Sequence, residues 1–510
     1  MSESYQTSNS RIAKNTIIIY IRMIVVVLVS LITTRYVLLA LGVSDFGLYN
    51  VVGGLIGMLN FISAAMSTTT SRFINFEMGK GENGNPNKVF NICLVIHIIF
   101  ALFLILLAET LGVWYVNNIL SVEPGKEWDA MLVFQISTLI ACIGMINVPY
   151  QSLLVAYEKF ALSAAIDIFV TLVKLAFVLV LVSYKGNALM FYAISMCVVN
   201  VFSFLLYHFV AYRKWPEVIR HKLYKDKQYY KDIFSFNNYN ILSTAAIISR
   251  SQGSNLLINY FFGTSVNGAF SVARSVQGFV EQFTSNIDQA SGPQIIQSYS
   301  RNEKDRSYYL VSKICKFSLL LYLLIGVPLF CEMGFVLKIW LKNVPDGAVV
   351  FCNCILLVCL ISSTSAGLVQ LINATGRVKW FKIQGAVLYI LCIPAGFYLY
   401  KIGHPAYSIL FLFVAADVLS RIIQLLLLRK QIDFPVSVFL KDAYARPAII
   451  VLICLIYYFL YSSFDYNAEW HHIIGFLFTF VFTTVLVLFI GLCNNERKKI
   501  VENIISRLKK

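Results

Sequence analysis

Long apolar runs recur along the chain, separated by short segments where Lys, Arg, Asp, Asn and Gly gather. A helix crosses the hydrocarbon core of a bilayer in about 20 residues. The pattern predicts fourteen transmembrane helices, over 14–41, 46–71, 88–112, 129–155, 160–184, 187–212, 233–262, 264–292, 308–332, 347–374, 378–401, 404–429, 446–463 and 469–493. Spans seven and eight are the least apolar, and hydropathy alone would return twelve. Their length and helical periodicity keep them in. The first ten residues are polar. The apolar run after them is too long for a signal-peptide core and has no A-x-A site, so the N-terminus is expected to be retained.

Composition agrees. Of 510 residues, 58% are hydrophobic and 13% are Asp, Glu, Lys or Arg, with a mean hydropathy of +0.72. Soluble proteins carry about a quarter charged residues, so an ordinary soluble enzyme, a disordered chain and a coiled coil are excluded. The net charge is +16, and its placement decides what it means. One alternate set of loops holds 29 Lys and Arg, and the opposite set holds 5. That asymmetry is a topology signal: it places both termini in the cytoplasm and argues against a nucleic-acid partner. The 11 Cys are scattered through apolar runs without a CxxC pair. Cys352 and Cys354 read as small packing residues, and no metal or cofactor is expected.

An internal repeat organises the spans. The segment Leu41–Val51 and the segment Phe262–Val272 both read Gly-x-Ser-x-x-Gly-x-aromatic-x-Val, at a constant offset of 221. Gly at such turns permits positive φ. Six spans separate the copies, and an even displacement keeps their orientation, so they are parallel repeats about an axis normal to the membrane. The fold class is therefore an all-α polytopic membrane protein of about fourteen transmembrane helices, two six-helix lobes related by a pseudo-two-fold plus two C-terminal helices. The expected domains are an N-terminal lobe over 1–212, a basic cytoplasmic linker over 213–232, a C-terminal lobe over 233–430, helices 13–14 over 431–493 and a basic amphipathic tail over 494–510.

Polar residues inside spans are costly and face a cavity or a partner. In span eight, Arg274, Gln277, Glu281 and Asp288 form one stripe at i, i+3, i+7 and i+14. Span seven has a face of Asn240, Ser243, Thr244, Ser251 and Ser254, flanked by Arg250 and Asn255, and span one carries Arg22. Two readings stand together. One is a hydrated cavity between the lobes, with Arg22, Arg250 and Arg274 as anion ligands, since Arg binds phosphate bidentately and stays charged. The other is an internal salt-bridge network in which Arg274 and Glu281 or Asp288 neutralise each other. Glu281 and Asp288 are also the candidates for ion coupling. Lys313, Lys316 and Arg421 lie near cytoplasmic ends and are expected to snorkel.

There is no G-x-x-x-x-G-K-[ST] sequence and no His/Asp/Glu constellation in an outer loop, so nothing marks an ATPase or a catalytic site. His471-His472 reads as a solvated loop pair. The stretch Thr34-Arg35-Tyr36-Val37-Leu38-Leu39-Ala40-Leu41-Gly42-Val43-Ser44-Asp45-Phe46-Gly47-Leu48-Tyr49, with Asn15 before it, resembles the opening of Wzx-type polysaccharide flippases. Asn373-Ala374-Thr375-Gly376-Arg377 resembles the loop after their tenth helix. The resemblance implies the fold of the multidrug/oligosaccharidyl-lipid/polysaccharide exporter superfamily. It further implies alternating access and a polyprenyl-diphosphate-linked oligosaccharide, an O-antigen, capsule or exopolysaccharide repeat unit, as the substrate. The implied setting is a bacterial inner membrane, with membrane lipids, a glycan polymerase and chain-length machinery as partners. The alternative is a cation-coupled small-molecule (multidrug) exporter of the same fold.

Overall fold

The computed structural model describes residues 2–57, 60–118, 125–341, 344–461, 469–494 and 496–498. These residues form helices, turns and loops, with no strand among them. They group into two compact units, Met1–Thr244 and Ala245–Lys510.

The first unit contains α1 (Ser2–Gly57), α2 (Asn60–Gly79), α3 (Pro86–Asn118), α4 (Glu127–Ala156), α5 (Phe160–Ser183), α6 (Ala188–Lys214), the short α7 (Pro216–Ile219) and the start of α8 (Lys227–Ser300). Helix starts follow local chemistry. Asn85 caps α3 by accepting the Lys88 amide at 2.9 Å, with Pro86 in the first turn, and Asn187 caps α6 by accepting the Met190 amide at 3.1 Å. The core of this unit joins Val37, Val52, Phe134, Val178, Leu189 and Tyr192. Tyr49 packs edge-on against Tyr192 with ring centroids 4.7 Å apart.

The basic linker is built onto this unit. Asn87 Nδ2 donates to the carbonyls of Glu217, Val218 and Arg220 at 2.8–2.9 Å, closing the C-terminal end of α7. Its Oδ1 accepts from the Tyr224 hydroxyl at 2.7 Å. Asn91 adds a bond to the Arg220 carbonyl and accepts the Lys222 amide, and Lys88 pairs with Asp226 at 2.6 Å.

The second unit contains the rest of α8, then α9 (Lys304–Cys331), α10 (Met333–Leu341), α11 (Ala348–Ser363), α12 (Leu368–Thr375), α13 (Lys379–Lys401), α14 (Ser408–Ile432), α15 (Val436–Tyr461) and α16 (Trp470–Gly491). Its core includes Phe270, Leu337, Phe351, Ile355, Ile409 and Phe413. Large apolar side chains such as Leu179, Phe209, Leu452, Phe459 and Phe489 are exposed, as lipid-facing positions require.

Among the described residues, ten helices are each long and apolar enough to cross a membrane, and α11 with α12, bent by 45° at their junction, makes up to eleven. The three expected spans outside this set are two, seven and eight. Span two contains residues 58–59, which are not described. Spans seven and eight both lie in α8, which is helical on either side of Gly263 but rich in Asn, Ser and Gln, too polar to count among the apolar membrane-length helices.

The two repeat motifs were expected to form turns, and in each a glycine with positive φ marks the kink where two helices meet: Gly42 at φ 71°, ψ 177° within α1, and Gly263 at φ 80°, ψ −178° within α8. Two residues 221 apart thus share one rare conformation. A Cβ at either would meet nothing within 4 Å, so the backbone angle and not crowding demands glycine.

Lys316 was expected to snorkel. It is buried, with its ammonium 2.6 Å from Glu496 and the side chain 1% exposed. Lys313 reaches the other oxygen of the same carboxylate. Half-burial alone would raise the Glu496 pKa, but the two lysines and the Cys493 amide hold it down at about 2. Of the expected tail over 494–510, residues 494 and 496–498 are helical, and the remainder lies outside the described residues.

Candidate functional site

Each unit pairs an arginine from its long helix with an aspartate inside an apolar span. In the first unit, Arg22 Nη1 on α1 lies 3.0 Å from Asp167 Oδ2 on α5, with side chains 25% and 32% exposed. The Tyr207 hydroxyl on α6 donates to Asp167 Oδ1 at 2.6 Å, and Ser163 Oγ lies 3.1 Å from the same hydroxyl. In the second unit, Arg250 Nη1 on α8 lies 3.2 Å from Asp417 Oδ1 on α14, with side chains only 10% and 7% exposed. The Arg250 guanidinium sits 4.2 Å from the Tyr389 ring centre and 4.6 Å from that of Phe413, in cation–π range. The difference in exposure separates their chemistry. Arg22 and Asp167 stay partly exposed, whereas Arg250 and Asp417 are enclosed.

The stripe of α8 divides into two clusters. Arg274 Nη1 donates to Gln277 Oε1 and its Nη2 to Ser251 Oγ at 2.9 Å, and Gln277 Nε2 donates to Glu281 Oε1 at 2.7 Å. These bonds run along the face Arg274–Glu281 and tie it back, across the Gly263 kink, to Ser251 on the preceding helical segment. Asp288 belongs elsewhere: its Oδ1 accepts the Gly367 amide at 2.7 Å and its Oδ2 the Gln370 side chain at 2.9 Å. The expected neutralisation of Arg274 by Asp288 is therefore replaced by a bond to a different helix. Fourteen residues of helix rise about 21 Å, too far for one pair to span. Asn255 leans toward Gln252 on its own helix at 3.4 Å.

Asp288 thereby holds the junction between α11 and α12. Gly367 there has φ 75° and lies 3.3 Å, by its would-be Cβ, from the Val311 backbone. Thr364 in the same junction accepts at its carbonyl from the Tyr444 hydroxyl at 2.8 Å, and its hydroxyl accepts from Arg421 Nε at 3.2 Å. Arg421, also expected to snorkel, is tied to this junction. His472, expected in a solvated loop, has Nδ1 2.9 Å from Glu332 Oε2.

Asp167 and Asp417 were absent from the candidate set. Each is a solitary carboxylate in an apolar run, and intramembrane acids, counted as the intramembrane arginines were, would have marked both. Among the described residues, no group of three or more His, Cys, Asp or Glu is placed to hold a metal ion.

No protein-family model matches the chain, and no curated protein sequence does. Solved structures do. An outward-facing multidrug resistance MATE family transporter of the MOP superfamily superposes with a TM-score of 0.68 at 14% identity, covering 83% of this chain and 95% of its own. The Vibrio cholerae MATE transporter VcmN aligns with a TM-score of 0.64 at 17% identity, covering 84% and 99%. A MOP superfamily transporter from Pyrococcus furiosus, described as having a binding pocket of reversed polarity, gives 0.65 at 14% identity over 83% and 95%. The likeness is one of fold, and it does not single out polysaccharide flippases. Across most of its length, the chain has the fold of a MOP-superfamily polytopic transporter.

Proposed function

We propose that this chain is an exporter of a bacterial inner membrane that moves its substrate by alternating access. The small-molecule class is the better supported, because the likeness over most of the chain is to MATE transporters, one of them a multidrug resistance transporter. That likeness is the observation that carries the proposal. In this reading Glu281 and Asp288 serve ion coupling, and Arg22 with Asp167 forms the accessible polar site of the first unit. Acids partly buried inside a helical membrane protein suit coupling because ionisation there is costly and therefore responsive to a partner.

A second reading has its own support. The partly exposed Arg22 and the Arg274–Gln277–Ser251 group present guanidinium and hydroxyl chemistry suited to a diphosphate and to sugars. With the N-terminal stretch that resembles polysaccharide flippases, this favours a lipid-linked oligosaccharide.

Gene disruption separates the two. Increased susceptibility across a drug panel, restored by the wild-type gene, is expected for the first. Lipid-linked repeat units accumulating on the cytoplasmic face, with unchanged susceptibility, would move the assignment to the second. Neither change, in a strain whose wild-type parent makes the protein, would sink both.

A further inference from the structure

A cavity of about 10 Å³ lies in the first unit between α2, α3 and the first turns of α8. Thr69, Thr70, Cys93, His97 and Asn237 line it, with Met66, Ile96 and Ile233. It has room for one molecule the size of water. His97 is 2% exposed, and its Nδ1 lies 2.7 Å from the Cys93 carbonyl. A carbonyl only accepts, so Nδ1 carries the proton and Nε2 offers a lone pair. That lone pair has no partner among the described residues. Asn237, 1% exposed, places Oδ1 3.1 Å from Thr69 Oγ1, while its Nδ2 has no partner there either. Thr70 Oγ1 makes no bond to a nitrogen or oxygen, and its polar neighbour is the Cys93 thiol.

Three buried polar atoms left unsatisfied around one small space would each cost about 1–3 kcal/mol. We propose that the cavity is an internal hydration site holding a single water, which accepts from Asn237 Nδ2 and donates to His97 Nε2 and Thr70 Oγ1. This assignment uses all three atoms. A soft cation on Met66, Cys93 and His97 would leave Asn237 Nδ2 and Thr70 unserved.

The water completes a latch on the start of α8. Around it, Asn240 Nδ2 donates to Thr69 Oγ1 at 3.2 Å, and the Tyr229 hydroxyl meets Glu77 at 3.2 Å. Phe236 packs edge-on against Phe73 at 5.6 Å, with the Arg72 guanidinium 4.3 Å from the Phe73 ring centre. The water therefore holds α8 by bonds that bulk water can replace when the helix lifts, and Cys93 beside it reports that lifting.

Two measurements on the full-length protein in lipid nanodiscs test this. A density map that resolves ordered waters is expected to show one water within hydrogen-bonding distance of His97 Nε2 and Asn237 Nδ2. An empty cavity, or a peak with metal scattering, overturns the assignment. Peptide-resolved alkylation of Cys93 by N-ethylmaleimide is expected to be slow in the wild type. It should rise about tenfold in Thr70→Val, the equivalent of about one lost net hydrogen bond, and return to the wild-type rate in Thr70→Ser. An unchanged rate in Thr70→Val overturns the latch. If that variant fails to fold, the map decides.

Discussion

The enclosed pair Arg250–Asp417 makes unequal demands on its two members. With oppositely charged centres about 4 Å apart and an effective dielectric constant of about 20, their attraction is about 4 kcal/mol. Removing one member of a buried pair costs about 3–5 kcal/mol, because the other is left as an uncompensated charge. Asp417→Leu strands a guanidinium that cannot lose its proton, and the Tyr389 and Phe413 rings offset only part of the loss. Its destabilisation is therefore expected at the lower end of that range, about 3 kcal/mol. Arg250→Met strands the Asp417 carboxylate without such rings over it and is expected at the upper end, about 5 kcal/mol. The double variant removes both charges and is expected within about 1 kcal/mol of wild type. Thermal unfolding of the purified protein and its three variants reads all of this. An Asp417→Leu protein as stable as wild type, or a double variant no better than the worse single one, would refute the reasoning.

Three further outcomes are expected. Gly263→Ala should cost about 1–2 kcal/mol by forcing a side chain into positive φ, while Gly268→Ala, in regular helix with open space around it, should be neutral or stabilising by up to about 1 kcal/mol; thermal melts of the pair check it. Asp288→Asn must lose one of its two bonds, because an amide nitrogen cannot accept from Gly367 or Gln370, and a loss of about 1–3 kcal/mol is expected in the same melts. Glu496→Gln should destabilise the packing of the tail's first turn on α9, read as faster proteolysis after residue 493. Because folding lowers the Glu496 pKa to about 2, the wild-type advantage is fully present above about pH 4.5. It shrinks as pH falls toward 2.

What the sequence made legible was local. Of the glycines at the two ends of each repeat motif, the first of each copy, Gly42 and Gly263, takes positive φ, and Gly47 and Gly268 do not. Hydrophobic run length located most of the spans. Partnership was not legible. Nothing in the one-dimensional pattern says that Arg22 faces Asp167 across 145 residues, or Arg250 Asp417 across 167. The shared stripe of Arg274 and Asp288 was real as a helix face and misleading as a cluster. Register on one helix fixes direction, while partners on other helices fix who meets whom.

Asn87 gives the basic linker a mechanical character that its charge alone does not. One side chain gathers three carbonyls and a tyrosine hydroxyl from the segment 217–224. The cations at Arg220, Lys222 and Lys225 are therefore mounted on the entrance of α3 like weights on a bracket. A pull from an anionic leaflet on those charges reaches the helix directly, with no slack chain to absorb it.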